Sequence, residues 1–462
     1  MKERIFLFQQ RDWAIRIGDY LGEKLYEQNY ELGCLTFKRS VHNTIKNNLK
    51  AKYSLILSHD EILENTNNYI EDKLFTIEKL CKELNIDGIW QIVQSARHHV
   101  KNFNKKYYYS FFQNKSDSEI ENYIKSLYFL CRKVERDFNP SIIFTPNFVS
   151  LPHIVFYLYF KKKGIKMLAL SDSKVGNQQI FVTDYFDETG YFHDYLNKLE
   201  TGEKSIKDRN KIENFISKYH SDKISYLTTL DLRTINTEIK NFIKTILSII
   251  RSIIYKDLNH IKNLGYTMDS QKPHILLRNY LSNIKNKFLE RFIKYDLFKE
   301  NEEFAFMPIQ VQPESSIDVQ SINFSNQIET ARKIAMHLPG DMKLYVKDHP
   351  FMYGLRNYSY LKKLQNTPNV KLINFRIDSK KIINKSSLII CATGTTIFQA
   401  ALIKKPCIML GKTGTLKRLP NVFALNSFLD LTKKIIELKS EKFESMNYTS
   451  KLYNYIEASF QT

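Results

Sequence analysis

The residues best suited to chemistry in this sequence follow short apolar runs in its last third. Three such runs, with the polar segments that follow them, are Phe304–Ile309 before Gln310, Lys343–Val346 before Lys347-Asp348-His349-Pro350, and Leu388–Cys391 before Thr393-Gly394-Thr395-Thr396. Each run predicts a buried strand with polar residues or glycine at its carboxyl end, the edge at which open α/β sheets bind ligands. The repetition predicts that these strand ends converge on one ligand site.

The Thr393–Thr396 segment stands between a predicted strand and the helical pattern of Ile397–Ile403. A short Gly/Thr turn that enters a helix directs backbone N–H groups and the positive end of the helix at an anion. A phosphate or diphosphate would fit there, and the threonine hydroxyls would add donors. The same four residues could also form a plain turn between a strand and a helix.

The surrounding segments supply the rest of a layered α/β domain. Predicted elements between the three strands are helices over Asn326–Leu338, Leu361–Leu364 and Asp378–Asn384 and a strand over Val370–Ile373. A further strand is predicted in the segment Lys405–Gly411. Alternation of strands and helices predicts a parallel sheet with helices on its faces.

The first half of the chain shows a similar alternation. Strands are predicted over Arg4–Gln10, Ser54–Leu57, Ile86–Val93, Ile142–Phe144 and Met167–Leu170, and helices over Asp12–Gln28, Asp117–Asp137 and Ile154–Lys163. Three polar candidates follow these strands, namely His98, His99 and Asp172. The histidine pair fits an ordinary surface helix as well as it fits a catalytic role.

Composition limits the class of protein. A chain of 462 residues with 43% hydrophobic and 26% charged residues is long enough for two to three globular domains. Its formal net charge of +20 favours an anionic partner, although a lysine-rich surface would give the same value. The five cysteines show no CxxC spacing, which argues against a zinc site or a disulfide framework and fits a reducing cytoplasm. No apolar run is long enough for a membrane span, so a soluble or peripheral protein is expected.

Residues Ile239–Ile254 form an apolar stripe at helical spacing, accompanied by Lys240, Lys244 and Arg251. A basic amphipathic helix can lie on an anionic membrane, or it can pack its apolar side against a neighbouring domain. The sequence does not decide between membrane binding and packing on a neighbouring domain.

Together, the motifs of the last third resemble the bacterial capsule polysaccharide biosynthesis family. The segments that carry the resemblance are Met307-Pro308-Ile309-Gln310, Gln312-Pro313-Glu314-Ser315-Ser316, Leu344-Tyr345-Val346-Lys347-Asp348-His349-Pro350, Thr393-Gly394-Thr395-Thr396 and Lys405-Pro406-Cys407-Ile408. That family includes the Kdo transferases of capsule and lipopolysaccharide assembly, and it is related in architecture to bacterial sialyltransferases with an HP motif. The resemblance covers about Phe304–Gly411 and is thin over the first 300 residues.

The resemblance implies an α/β fold of the GT-B type, in which two Rossmann-like domains face a central cleft. The domains expected are an acceptor-side domain over residues 1–300 with a helical insertion at about 188–299, a nucleotide-sugar domain over 301–440, and a helical tail over 441–462. It also implies a donor site formed by Gln310, Lys347, His349, Pro350, Thr393, Gly394, Thr395, Thr396 and Gln399. Many GT-B donor domains have glutamate at the position of Gln399, where it binds ribose hydroxyls, so the glutamine leaves the nucleotide open.

The activity implied is transfer of a sugar from a nucleotide-activated donor, such as a CMP-linked keto acid, to a cell-surface polysaccharide. Such transfer needs a neutralised leaving phosphate and a base for the acceptor hydroxyl. His349, Lys347 and Arg356 are candidates for the phosphate, and Glu314, Asp172, His98 and His99 are candidates for the base. No DxD-like pair follows a strand, so metal independence is expected, with no cofactor besides the donor.

Two alternatives fit the same motifs. A CDP-glycerol-type transferase of a polyol phosphate could use similar turns, and a non-catalytic capsule export or accessory protein could keep the fold. The partners expected are the donor and a glycan or glycolipid acceptor, with no nucleic acid. The location expected is the cytoplasm or the inner face of the cytoplasmic membrane.

Overall fold

The computed structural model describes most of the chain, and the chain divides into two compact units. The described residues are 2–48, 50–102, 113–221, 235–254, 258–267, 270–412, 414–425, 427–440 and 446–462. The first unit consists of Met1–Ser171, Phe181–Tyr185 and Leu247–Leu276, and the second of Asp172–Ile180, Phe186–Ile246 and Leu277–Thr462.

The first sheet has six strands in the order β3-β2-β1-β4-β5-β6. Its strands are β1 (Arg4–Gln10), β2 (Glu31–Phe37), β3 (Tyr53–Ser58), β4 (Ile142–Thr145), β5 (Lys166–Asp172) and β6 (Gln179–Val182). Strand β1 pairs in parallel with both β2 and β4, so the strand order reverses between β1 and β4. In open α/β sheets this switch point opens a crevice at the carboxyl ends of the strands.

Helices cover the first sheet. The α-helices of residues 1–171 are α1 (Arg11–Trp13), α2 (Asp19–Glu27), α3 (Arg39–Lys46), α4 (His59–Glu64), α5 (Ile77–Leu84), α6 (Trp90–Val93), α7 (Arg97–Val100), α8 (Asp117–Asp137) and α9 (Leu151–Lys162). Shorter segments are a π-helix over Ala14–Gly18 and a 3-10 helix over Thr66–Tyr69. Helix α8 has the predicted bounds and begins with a capping box between Ser116 and Glu119.

One prediction for this half was wrong, and strands β2 and β6 were missed. The predicted strand Ile86–Val93 is a turn followed by the short helix α6, because Asp87-Gly88 breaks the apolar run. Strand β2 was missed because Gly33 interrupts its apolar pattern. A side chain at Gly33 would lie 2.9 Å from the Phe6 ring and 3.1 Å from the Phe138 ring, so the glycine makes room for two core aromatics.

The second sheet repeats the strand order of the first, here β12-β11-β10-β7-β8-β9. Its strands are β7 (Phe304–Pro308), β8 (Lys343–Lys347), β9 (Val370–Ile373), β10 (Leu388–Cys391), β11 (Cys407–Met409) and β12 (Val422–Ala424). Strand β7 pairs in parallel with β8 and β10, so the strand order reverses between β7 and β10. Two sheets of the order 3-2-1-4-5-6 confirm the prediction of an α/β chain with two Rossmann-like domains.

The strands of the second sheet are short continuous apolar runs because both faces of the sheet are covered. Every residue of β10 is fully buried, as are Phe304, Ala305 and Phe306 of β7. The helices of residues 301–462 are α14 (Ser315–Asp318), α15 (Gln327–Met336), α16 (Tyr358–Gln365), α17 (Ser379–Lys385), α18 (Thr395–Leu402), α19 (Gly414–Lys417), α20 (Leu431–Ser440) and α21 (Met446–Gln461). Short 3-10 helices span Ile322–Phe324, Pro350–Met352 and Phe428–Asp430.

Helices connect the two sheets along the chain, within the residues of the predicted insertion. They are α10 (Tyr191–Glu200), α11 (Arg209–His220), α12 (Ile235–Ile254) and α13 (Pro273–Glu290). Residues 222–234, 255–257 and 268–269 of the predicted insertion, and 441–445 of the predicted tail, lie outside the described residues.

The units do not follow the predicted boundary near Glu300 along the chain. Residues 186–246 and 277–300 were assigned to the first domain from the sequence, but they lie in the second unit. The reason is packing on helix α21. Phe192 of α10 contacts Tyr455 with ring centroids 5.1 Å apart, and the Lys207 backbone N–H donates to Glu457 Oε1 at 3.1 Å.

Candidate functional site

The switch point of the second sheet is bridged by Gln310, which follows β7. Its side-chain Nε2 donates a hydrogen bond of 2.9 Å to the carbonyl oxygen of Thr393, which follows β10. Its backbone N–H donates to Gln327 Oε1 at 2.7 Å, and Gln327 Nε2 donates back to the Gln310 carbonyl at 3.1 Å. Gln310 is thereby held through both its backbone and its side chain.

A buried ion pair ties the end of β8 to the same residue. Arg356 Nε donates to Asp348 Oδ1 at 2.8 Å, and Arg356 Nη2 donates to the Gln310 carbonyl at 2.6 Å. The Arg356 side chain is only 1% exposed. Because Arg356 is occupied inside the fold, it positions the strand ends rather than offering a surface charge to a phosphate.

The Gly/Thr turn has a conformation that requires glycine at position 394. Gly394 has φ of 116° and ψ of 176°, a region in which residues other than glycine are strained. A Cβ atom there would also lie 3.2 Å from Gln310 Oε1. The chain can therefore turn from β10 into α18 while Gln310 passes close to the turn.

Helix α18 begins at Thr395 directly beyond that glycine. No side chain caps its first turn, while Thr395 and Thr396 are partly exposed and Thr393 is buried. Uncapped N–H groups and the positive end of a helix bind anions. The start of α18 therefore offers N–H groups without a side-chain cap at the switch point.

His349 lies at the end of β8, beside the residues just described. Its Nδ1 accepts a hydrogen bond of 3.2 Å from the Phe351 N–H, so the neutral ring carries its proton on Nε2. Burial lowers the pKa of His349 below its ordinary value, although the charges of Asp348 and Glu314 act in the opposite direction. The ring is therefore a neutral hydrogen-bond donor at pH 7, and its plane stacks on Phe351 with centroids 5.3 Å apart.

Glu314 lies on the segment after β7 and is exposed. It precedes α14, and its carboxylate accepts a hydrogen bond of 2.7 Å from Ser316 Oγ. Because its charge acts on the pKa of His349, the two side chains belong to the same edge of the sheet.

Three other residues were predicted for the donor site, namely Lys347, Pro350 and Gln399. The Lys347 ammonium donates to the Ile377 carbonyl at 2.6 Å and to Ser379 Oγ at 2.7 Å, so it anchors the start of α17. Pro350 opens the 3-10 helix after His349. Gln399 is buried one turn inside α18.

The candidates from the first half of the chain belong to elements outside the second sheet: Asp172 ends β5, and His98 and His99 lie on α7. His98 is half-buried on α7 and His99 is buried, with its ring stacked on Tyr123 at 4.1 Å. Burial lowers the pKa of His99 to about 3. Asp172 forms an ion pair of 2.8 Å with Lys174 Nζ.

Sequence reasoning missed Gln327, which locks Gln310 in place. Gln327 is buried at the first position of α15, on the same face as Thr330, Ala331 and Ile334. A polar residue in register with the apolar face of a predicted helix was the signal available.

The described residues contain no group of three or more His, Cys, Asp or Glu side chains that could hold a metal ion. In the same residues no helix is long and apolar enough to cross a bilayer.

Residues 207–414 match the family model of the capsule polysaccharide biosynthesis proteins. This segment belongs to the capsule polysaccharide biosynthesis family. It contains Gln310, His349 and the Thr393–Thr396 turn, so the switch point lies in the capsule biosynthesis segment. The predicted family is confirmed over these residues. No curated protein matches the sequence.

Solved structures similar to this chain include two transferase domains of KpsC from Thermosulfurimonas dismutans. The β-Kdo 2,7 transferase has 11% identity and a TM-score of 0.31, and the match covers 66% of this chain and 74% of that chain. The β-Kdo 2,4 transferase has 13% identity and a TM-score of 0.32, over 70% and 79% of the two chains. UDP-GlcNAc 2-epimerase from Neisseria meningitidis, bound to UDP-GlcNAc, has 13% identity and a TM-score of 0.29, over 99% and 97%. At such TM-scores the likeness carries no argument about activity.

Proposed function

We propose that this protein is a glycosyltransferase of capsule polysaccharide biosynthesis, with its nucleotide-sugar site at the carboxyl ends of β7, β8 and β10. The observation that carries the proposal is the Gln310–Thr393 hydrogen bond within the capsule biosynthesis segment. It joins the two strand ends of the switch point directly beside an uncapped helix N-terminus. The first donor to test is a CMP-linked keto acid, on the resemblance of the motifs.

The edge formed by the carboxyl ends of β7, β8 and β10 is best suited to bind the leaving phosphate. As the bond between the sugar and the phosphate breaks, negative charge develops on the phosphate oxygens. The N–H groups at the start of α18 and the Nε2–H of His349 are neutral donors for that charge. Neutral donors in a partly buried site stabilise developing charge without the desolvation that a buried cation would need.

The acceptor hydroxyl has to lose a proton as its oxygen bonds to the anomeric carbon. Glu314 is the candidate base we put first, because it is exposed and lies at the same edge as His349. Asp172 and His98 remain candidates, but Asp172 is bound to Lys174 and His98 belongs to the other unit. We propose that the chemistry needs no metal ion and no cofactor besides the donor.

The test is nucleotide-dependent thermal stabilisation followed by transfer of radiolabelled sugar. CMP, CDP and UDP are compared with cytidine, which has the same base as CMP but no phosphate. Stabilisation by one nucleotide and none by its nucleoside is expected, because the phosphate makes the contacts at α18. If none of the three nucleotides raises the melting temperature, the chain does not have this donor site and a non-catalytic accessory role gains support.

We further propose that the acceptor is a glycan or glycolipid and that transfer takes place at the inner face of the cytoplasmic membrane. The acceptor of capsule assembly is a growing polymer. A polymer that is bound to the membrane is reached more readily by a transferase that is held at the same membrane.

A further inference from the structure

Helix α12 exposes its apolar side, which is the reverse of an ordinary surface helix. Seven apolar side chains with exposed fractions between 36% and 66% form what we call the α12 stripe: Phe242, Ile243, Ile246, Leu247, Ile250, Ile253 and Ile254. At 100° per residue they fall within an arc of about 140°. Polar Thr245 and Ser252 are half-buried and bond to backbone carbonyls of their own helix. The less exposed side of the helix consists of Asn241, Thr245, Ile249 and Ser252, and three of these four are polar.

Basic residues border the α12 stripe on one side. On the same helical projection Lys240, Arg251 and Lys244 follow one another at the edge of the apolar arc, and all three are exposed. Residues 240–254 contain no aspartate or glutamate. An apolar arc with a row of cations along its border is the pattern of a helix that lies in the surface of an anionic bilayer.

Helix α13 carries a second exposed apolar row, which we call the α13 stripe. Leu277, Leu281, Ile284 and Phe288 follow one another at spacings of four, three and four, with exposed fractions of 43% to 55%. The opposite side of α13 is anchored, because Asn286 is buried and its Nδ2 donates to the Gly354 carbonyl at 3.1 Å. The stripe is thus fixed on the outside of the helix.

The two helices touch and share one sign of charge. Phe242 of α12 contacts Tyr280 of α13 with ring centroids 5.8 Å apart. Residues 273–294 contain five basic residues, Arg278, Lys285, Lys287, Arg291 and Lys294, and one acidic residue, Glu290. The carboxylate of Glu290 is buried and accepts a hydrogen bond from Tyr295. Its charge therefore does little to offset Lys285, Arg291 and Lys294, which are exposed.

We infer that the α12 stripe and the α13 stripe each dock on an anionic lipid bilayer. The inference deepens the proposed function, because it assigns the surface that would hold the transferase at the membrane. Charge complementarity decides between the possible occupants. A second copy of this chain would bring the same cations against these, which is unfavourable, whereas an anionic leaflet attracts each of them and takes up the apolar side chains.

The experiment measures co-flotation of the full chain with vesicles. Vesicles of equal parts phosphatidylglycerol and phosphatidylcholine are compared with vesicles of phosphatidylcholine alone, at low and at high salt. Binding to the anionic vesicles and release by salt are expected. If the wild-type chain does not float with anionic vesicles, the inference is overturned.

Variants distinguish vesicle binding by these stripes from nonspecific binding of the chain to vesicles. The double variants Leu247→Glu/Ile250→Glu and Leu281→Glu/Phe288→Glu should each lower the bound fraction about tenfold, because they remove inserted side chains and add charge. The matched controls Leu74→Glu and Leu429→Glu alter side chains that are 88% and 84% exposed on other surfaces, and they should bind as wild type does. Equal loss in the controls and in the stripe variants would overturn the inference.

Two further measurements keep the outcomes distinct. If gel filtration shows a wild-type dimer that the stripe variants dissociate, a second copy covers the stripes and the bilayer assignment is wrong. Thermal stabilisation by nucleotide is expected to be the same in wild type and stripe variants. Stripe variants that lose vesicle binding but keep nucleotide binding support docking by the stripes. If the wild type binds vesicles but no nucleotide, the docking inference holds and the donor-site proposal is wrong.

Discussion

The side-chain amide of Gln310 donates a 2.9 Å hydrogen bond to the backbone carbonyl of Thr393. These residues are 83 positions apart in the sequence, yet they follow the two strands between which the strand order reverses. A glutamine that joins these strand ends fixes the width of the crevice in which a ligand would bind. Its own position is fixed in turn by Gln327 and Arg356.

Replacing Gln310 by alanine should remove that cross-link. The expected loss of stability is about 1 kcal/mol, the contribution of one hydrogen bond, while nucleotide binding should weaken about tenfold as the Thr393 turn is released. Gln365→Ala is the matched control, because Gln365 Nε2 also donates to a carbonyl, that of Lys294, at 2.8 Å. Urea denaturation and calorimetric titration measure the two effects. Equal weakening of nucleotide binding in both variants would show that Gln310 has no special part in the site.

Gly394→Ala tests the turn itself. The alanine would be held at φ of 116° with its Cβ 3.2 Å from Gln310 Oε1, so a loss of about 1 to 3 kcal/mol of stability is expected. Gly340→Ala is the control, because Gly340 also has a positive φ of 58° but open space around its Cβ position. A smaller loss is expected there, with nucleotide binding unchanged. The prediction fails if Gly394→Ala binds nucleotide as wild type does.

The sequence predicted five of the six strands of the second sheet and missed β12. Strands β9 and β10 have the predicted bounds, and the Gly394 turn follows β10 as expected. These elements are local apolar runs bounded by polar residues, so their pattern is readable from neighbouring positions. The contacts that lock the site could not be read in this way. Gln310–Gln327 and Asp348–Arg356 are pairs of polar side chains whose meeting depends on how α15 and the loop after β8 pack on the sheet.

The same reasoning applies to the two basic residues predicted to contact the phosphate. Lys347 and Arg356 were expected to offer positive charge to a phosphate, yet both are buried and bonded within the fold. A basic residue at a strand end predicts a charge at that edge, but its partners decide whether the charge reaches the ligand. Composition and spacing do not identify the partners of a buried basic residue.

Thr395→Val tests the phosphate assignment at the start of α18. Loss of the hydroxyl should weaken nucleotide binding by about 1 to 3 kcal/mol if that oxygen donates to the phosphate. Thr367→Val is the control, because the Thr367 hydroxyl donates to the Lys363 carbonyl at 2.8 Å and the side chain lies on the surface. Calorimetric titration measures both dissociation constants. An unchanged constant for Thr395→Val would remove the phosphate assignment of that residue.

His349→Asn tests the structural role of the His349 side chain separately from its role as a hydrogen-bond donor. An asparagine oxygen can still accept the Phe351 N–H, as His349 Nδ1 does, but it lacks the Nε2–H on the far side of the ring. Folding should therefore be kept while turnover is lost, whereas His349→Ala should lose turnover and part of the local cap.

The pH dependence of turnover gives an independent measurement on the same residue. Burial lowers the pKa of His349, so the neutral ring persists as the pH falls below its ordinary value of about 6.5. If the neutral ring is required, turnover in the wild type should fall only below that pH. Turnover near the wild-type rate in His349→Asn would show that His349 does not contact the donor.

Acid should destabilise the first unit through its buried histidines. Burial lowers the pKa of His99 and of His153 to about 3, and it lowers the pKa of His59 as well. The unfolded chain therefore binds more protons than the folded chain between pH of about 3 and 6.5, so stability is full above 6.5 and is lost as the pH falls. From pH 7 to pH 5, His99 and His153 should each cost about 2 kcal/mol of stability.

His99→Phe isolates one of these groups. A phenylalanine can keep the stacking on Tyr123, whose ring centroid lies 4.1 Å from that of His99, but it cannot take up a proton. Urea denaturation at pH 7 and pH 5 should show a pH effect smaller by about 2 kcal/mol in the variant. His337→Phe is the control, because His337 is partly exposed and its Nδ1 bonds to the Lys333 carbonyl of its own helix. An identical pH effect in wild type and His99→Phe would show that His99 titrates alike in the folded and unfolded chain.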